Sequence, residues 1–326
     1  MDWIERYPEI ARRHRDADGR PPAHTFCYPW DEYDDWEFSQ LVDLCAGGWG
    51  EVELQLHHRD DTSDSLRAKL RDAVSTYRGF GALTSWPDSR PAFGFVHGNW
   101  ALDNSRIENG VNFCGVNDEL TVLQEEGCYA DFTFPAWQCD AQPPQTNDIY
   151  YAIDDPLRPR SCDHGRTVTS GRPGSEGLLI VQGPLVPFVR RTKRGPRLGV
   201  DDGDLAGSIY RRYEPLRFDL WVRAGIHVAG RPDRIFIKLH CHGAADANRE
   251  PLLETDLDAL FSDAEARYND GARYRMHYVT AREMFNVIKA TEAGTDGEIA
   301  ELRDYALPKP KHAGQKAPQI LNEARP

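Results

Sequence analysis

The amino-acid sequence predicts an α/β fold built on a parallel sheet, and three observations carry that expectation. Stretches of strand character alternate with stretches of helix character from residue 24 to residue 135, a rhythm that right-handed crossovers turn into parallel strands. Residues 51–57 set Val52, Leu54 and Leu56 against Glu53, Gln55 and His57, the period-2 signature of a strand with two unlike faces. Groups suited to metal binding or proton transfer recur where strands end: Asp31 and Glu32, His57 and His58, His97, then His240 and His242. α/β proteins build their sites at such strand ends.

Taken in order, Trp3, Ile4, Tyr7 and Ile10 mark a short helix, and residues 24–28 a first strand stopped by Pro29. Trp36, Leu41, Leu44 and Cys45 recur at helical spacing up to Gly47 and Gly48. After the 51–57 strand, Thr62 or Ser63 caps a helix through Leu66, Leu70 and Val74. Residues 91–100 read as a strand whose end delivers His97. Asn117 or Asp118 then starts a helix through Leu120 and Leu123, and residues 128–135 form the next strand. The Pro- and Gly-rich stretch from about 138 to 215 reads as an insertion of loops or a hairpin, with one β-like island at 178–181. Strands are expected again at 217–222, 234–243 and 275–279, with a helix over 253–268 between the last two. Thr280 and Glu283 have capping-box spacing ahead of Met284, Val287 and Ile288. The tail from about 308 is expected to fray.

Composition sets limits. The 326 residues, 40% hydrophobic and 10% aromatic, can bury a large core, and residues 1–326 are read as one domain. A net charge of −13 argues against a general nucleic-acid or anionic-membrane binder. The opening residues lack a signal-peptide core, and no run is long enough to span a bilayer. Seven cysteines, odd in number and without a Cys-x-x-Cys pair, suit buried thiols in a reducing cytoplasm.

Imidazoles and carboxylates gathered at one end of a sheet suit Zn²⁺ and neighbouring first-row metals. If Val52, Leu54 and Leu56 face helices, then Glu53, Gln55 and His57 face the other way. By the same alternation Lys238, His240 and His242 share one face. Trp30, Trp100, Trp137 and Trp221 lie beside these segments and offer flat platforms for a sugar.

Residues 50–57 (GEVELQLH), 95–103 (FVHGNWALD), 123–135 and 237–240 (IKLH) resemble, in order and spacing, motifs of the polysaccharide-deacetylase superfamily, the NodB-homology or carbohydrate esterase family 4 type. That resemblance covers about residues 24–135 and 216–290. It implies a distorted (β/α)7 barrel and metal-assisted removal of an acyl group from an amino sugar. The sequence departs from the family where Gln55 and Arg59 stand in place of its two motif histidines, and Asp31-Glu32 in place of its aspartate pair.

On this reading the chain is a metal-dependent hydrolase deacetylating an N-acyl amino sugar or similar small amide. Asp31 is the base and His240 the acid. Glu32, His57, His58 and His97 are the ligands of a divalent metal, zinc first. Trp30, Asn99, Trp100 and His242 contact substrate. The expected partner is a small-molecule or carbohydrate substrate, with neither nucleic acid nor membrane, and a homo-oligomer is left open. Two alternatives stand beside it: an inactive barrel that binds carbohydrate or protein, and a different amidohydrolase that uses the His240/His242 pair.

Overall fold

The computed structural model of the chain describes residues 2–312, apart from 138, 175, 193, 194 and 209. Twelve strands appear among these residues. They are β1 (His24–Pro29), β2 (Gly50–Leu56), β3 (Thr84–Ser85), β4 (Pro91–His97), β5 (Ile107–Glu108), β6 (Val111–Asn112), β7 (Cys128–Asp131), β8 (Ile149–Ala152), β9 (Arg166–Thr167), β10 (Leu178–Val181), β11 (Val186–Thr192) and β12 (Gly195–Asp201). The helices that matter here are α1 (Asp2–Ala11), α2 (Asp35–Leu44), α3 (Ser63–Gly79), α4 (Glu119–Glu125), α5 (Pro215–Ala224), α6 (Asp246–Pro251), α7 (Leu257–Tyr268) and α8 (Ala281–Glu292). None is long and apolar enough to cross a membrane.

The central sheet is mixed but mostly parallel, in the order β1-β2-β4-β7-β10-β8-β9, with β3 alongside β4. β1, β2, β4, β7 and β10 run parallel, and β8 and β9 add antiparallel pairs at one side. Among the described residues the ladder has two ends and does not close on itself.

The alternation in β2 sorts its two faces as the sequence implies. Val52, Leu54 and Leu56 pack with Phe38 and Leu41 of α2 and with Leu66 and Leu70 of α3. Leu54 and Leu70 are fully buried, each worth roughly 1.5–3 kcal/mol for leaving water. Thr62 caps α3, accepting from the Ser65 N–H in a capping box. The other face is covered by α8, whose Met284, Phe285 and Ile288 meet Ala92, Tyr129, Ala130 and Leu179. Carboxylates on that face are answered individually: Arg282 grips Glu51 (Nη2–Oε1 2.7 Å), and Glu53 accepts from the Gly94 N–H and the Tyr129 hydroxyl. The Thr280–Glu283 capping box starts α8.

Four expectations need correction. Residues 217–222 are not a strand but the centre of α5: Pro215 sits in its first turn, Gly225 ends it at φ +63°, and Arg217, Phe218, Leu220 and Trp221 share its buried face. The stretch 138–215 is more than an insertion, because β8 and β10 lie inside the central sheet and only β11–β12 form a separate hairpin. Residues 234–243 and 275–279 form no ladder strands. His240 makes one bridge to Asp204, while the Met276 carbonyl accepts from the Ala17 N–H. The start of the expected frayed tail is anchored: Thr84 donates to the Pro308 carbonyl, and Arg282 and Asn286 donate to the Leu307 carbonyl. Its remainder, 313–326, lies outside the described residues.

Candidate metal-binding groups at the sheet edge

β1, β2, β4 and β7 all run the same way, so the residues following them meet at one edge. The sequence places its chemistry there, and the structure divides it into three places.

The first is exposed. Asp31 and Glu32 follow β1, His57 follows β2, and the three offer ligand atoms all within 4.8 Å of one another. Asp31 holds His57 twice, accepting the His57 backbone N–H at 2.8 Å and standing 3.0 Å from Nδ1. The Gln55 amide lies 3.2 Å from Nε2. Gly98 lets the ring lie close: a Cβ there would fall 2.2 Å from His57 Cδ2.

The second is sealed. His58, one residue further on, turns the opposite way and joins His97, Cys114 and Glu119 in a group whose ligand atoms also lie within 4.8 Å of one another. All four side chains are inaccessible to solvent. His58 Nε2 is 2.9 Å from Glu119 Oε1, and Cys114 Sγ is 3.2 Å from Glu119 Oε2. The two imidazole rings stand 4.3 Å apart. Burial opposes charge on His58, yet Glu119 and Asp61 together push its pKa up to about 9. Burial and neighbouring His58 lower His97 to about 3. Burial alone would raise the Glu119 carboxyl, but His97 and His58 hold it below its ordinary value.

The third is a cleft of about 210 Å³ lined by Trp100, Arg106, Trp137, Asp202, Asp204, Arg211, His240 and His242 among others. Trp100 meets His242 edge-on at 5.6 Å and carries a left-handed backbone, φ +56°, a costly conformation for an aromatic residue that often marks functional sites. His240 Nε2 lies 4.0 Å from Asp204 Oδ1, with 30% of its side chain open to solvent. Close packing of protein around the ring lowers its pKa to about 4, against the pull of Asp204. Arg211 pairs with both Asp202 and Asp204, at 3.0 and 2.6 Å.

The structure therefore joins Asp31, Glu32 and His57, and separately Trp100, His240 and His242. It separates His58 and His97 from His57 and Glu32, because residues 57 and 58 of one extended chain point to opposite sides. Trp30 packs against Tyr33 at 5.0 Å and Tyr77 at 6.1 Å, a contribution to the core. Asn99 is occupied in holding the His58 carbonyl at 2.8 Å. Sequence reasoning missed Cys114 and Glu119. A further carboxylate–histidine group, Asp16, Asp18 and His277, is held by Arg303, which lies 2.9 Å from Asp16 and 3.1 Å from Asp18.

The fold and site define an α/β protein with two metal-capable histidine groups at one sheet edge. No protein-family model, curated protein or solved structure matches the chain.

Proposed function

We propose that this edge is the active site of a metal-dependent hydrolase acting on an N-acyl amino sugar or a similar small amide. The observation that carries the reading is the solvent-facing Asp31–Glu32–His57 group: Glu32 and His57 offer a carboxylate and an imidazole to a first-row divalent ion, zinc first, and leave positions for water and substrate, with Asp31 beside them as the base. A bound ion there would polarise the acyl carbonyl and lower the pKa of water. Asp31 orients the His57 ring and takes the proton from the attacking water. Trp100 and Trp137 offer apolar walls to a sugar ring in the cleft. The sequence assigns His240 as the acid. With its pKa near 4 the ring is neutral at neutral pH, so here it accepts a hydrogen bond from the substrate, and the proton that Asp31 takes from water passes on to the leaving amine.

The distorted (β/α)7 barrel belongs to the same proposal. Its support is that segment 234–243 runs beside the sheet edge, with Lys238 donating to the Phe132 and Phe134 carbonyls beyond β7. Seven free thiols support a reducing, cytoplasmic setting.

The cleft also favours one second reading, a carbohydrate binder without turnover, because its tryptophans and paired charges need no metal. The test is a panel of acetylated amino sugars incubated with zinc-, cobalt- and manganese-loaded protein, wild type and Asp31→Asn. Acetate release by wild type alone supports the hydrolase. Saturable sugar binding with no release, unchanged in Asp31→Asn, supports the binder.

A further inference from the structure

We propose that His58, His97, Cys114 and Glu119 form a second, closed site for one divalent transition-metal ion, zinc or a close chemical relative, whose role is to clamp the sheet edge. It is independent of the open group and of the hydrolase reading.

The four donors come from three stretches of chain, with Cys114 and Glu119 sharing the last. His58 lies just past β2, His97 ends β4, Cys114 sits in the turn after β6, and Glu119 opens α4. An ion between them would tie the ends of two parallel strands to the start of α4. The donor set of two imidazoles, a thiolate and a carboxylate suits zinc and excludes the hard cations. Around a tetrahedral ion with bonds of 2.0–2.3 Å, ligand atoms stand about 3.4 Å apart. The separations here bracket that value: 2.9 Å from His58 Nε2 to Glu119, 3.2 Å from Cys114 Sγ to Glu119, and 3.9 Å from His97 Nε2 to Glu119.

A second observation points to a ligand. His97 Nε2 is completely buried, faces the Glu119 carboxylate and has no hydrogen-bond partner among the described residues. An unsatisfied polar atom at such depth is rare and requires an occupant or a cost. The surroundings are built as an outer shell is: Asp103 donates its N–H to Glu119 Oε2 at 2.6 Å, and Asn99 holds the His58 carbonyl. Complete burial makes this a four-ligand structural site, with no position for substrate. Loading would release the Cys114 thiol proton, and any proton carried by His58, to solvent.

The competing account is a metal-free cluster. In it the Asn99 N–H, 3.3 Å from His97 Nδ1, keeps the ring proton on Nε2, and His58 is an imidazolium between Glu119 and Asp61 at 3.2 Å from the latter. The two accounts differ in metal content and in sulfur ligation.

The experiment uses the untagged full chain, unfolded in chelator, refolded with Co²⁺ and passed through a chelating column. Wild type and Asp31→Asn should each retain one equivalent of cobalt and show a thiolate-to-cobalt charge-transfer band in the near ultraviolet. Cys114→Ser should lose the band and bind cobalt at least tenfold more weakly. Wild type with no retained cobalt and no band overturns the proposal, as does a band that persists in Cys114→Ser. If Cys114→Ser does not fold, the wild-type measurement decides by itself, since the open group contains no thiolate.

Discussion

His57 and His58 are neighbours in sequence and opposites in environment. His57 shares solvent with Asp31 and Glu32, whereas His58 is enclosed with His97, Cys114 and Glu119. The comparison shows how one strand end can serve two purposes through the alternation of its side chains. Access to water would let the first group, on the proposed reading, exchange ligands and meet substrate. Exclusion of water makes every charge in the second group costly unless it is matched, so that group acts on stability.

The largest expected contrast is thermodynamic. Removing Glu119 as Glu119→Ala leaves buried imidazoles without their carboxylate and should cost about 3–5 kcal/mol, read by denaturant unfolding. Asp31→Ala, at the half-open site, should cost less than about 1 kcal/mol. Equal losses would erase the distinction between the two groups.

Activity should divide the other way. Asp31→Asn is expected to lower the proposed amide hydrolysis by on the order of 10²–10⁴ while leaving the unfolding midpoint within a degree or two of wild type. Parallel loss of fold and turnover would mean that Asp31 is structural.

Gly98→Ala probes the packing that holds His57. A methyl group there overlaps the imidazole, so metal affinity at the open group should fall about tenfold, with the sealed group's metal unchanged. Unaltered affinity at the open group would show that the position of His57 is not set by this contact.

The smallest effect concerns pH. His240 has a folded pKa depressed to about 4 against about 6.5 in the unfolded chain. Its contribution to stability is therefore fully present above pH 6.5 and is lost as pH falls toward 4. Turnover should show an acid limb near pH 4 that His240→Gln removes. A limb that persists in that variant would assign it to another group.

Much of this arrangement was legible in the sequence. The alternation of β2 placed Val52, Leu54 and Leu56 against the helices, and the parallel rhythm placed Asp31, His57 and His97 at one edge. What failed was short-range pattern reading where two periods compete. Residues 217–222 alternate well enough for a strand, but Pro215, Gly225 and the spacing of Phe218 and Trp221 belong to a helix. Cys114 and Glu119 escaped because neither follows a strand of the central sheet. A signal existed for Glu119: it lies three and four residues before Val122 and Leu123 on the face of α4 that is buried, and a carboxylate on an apolar face needs a partner. Nothing local marked Cys114, whose role depends on a turn that brings distant chain together.

The most direct measurement is metal stoichiometry and hydrolytic rate followed together during dialysis of wild-type protein against a chelator. The two-site account expects turnover to vanish while one equivalent of metal remains bound. Activity and the last equivalent leaving together, or no metal bound at the outset, would contradict it.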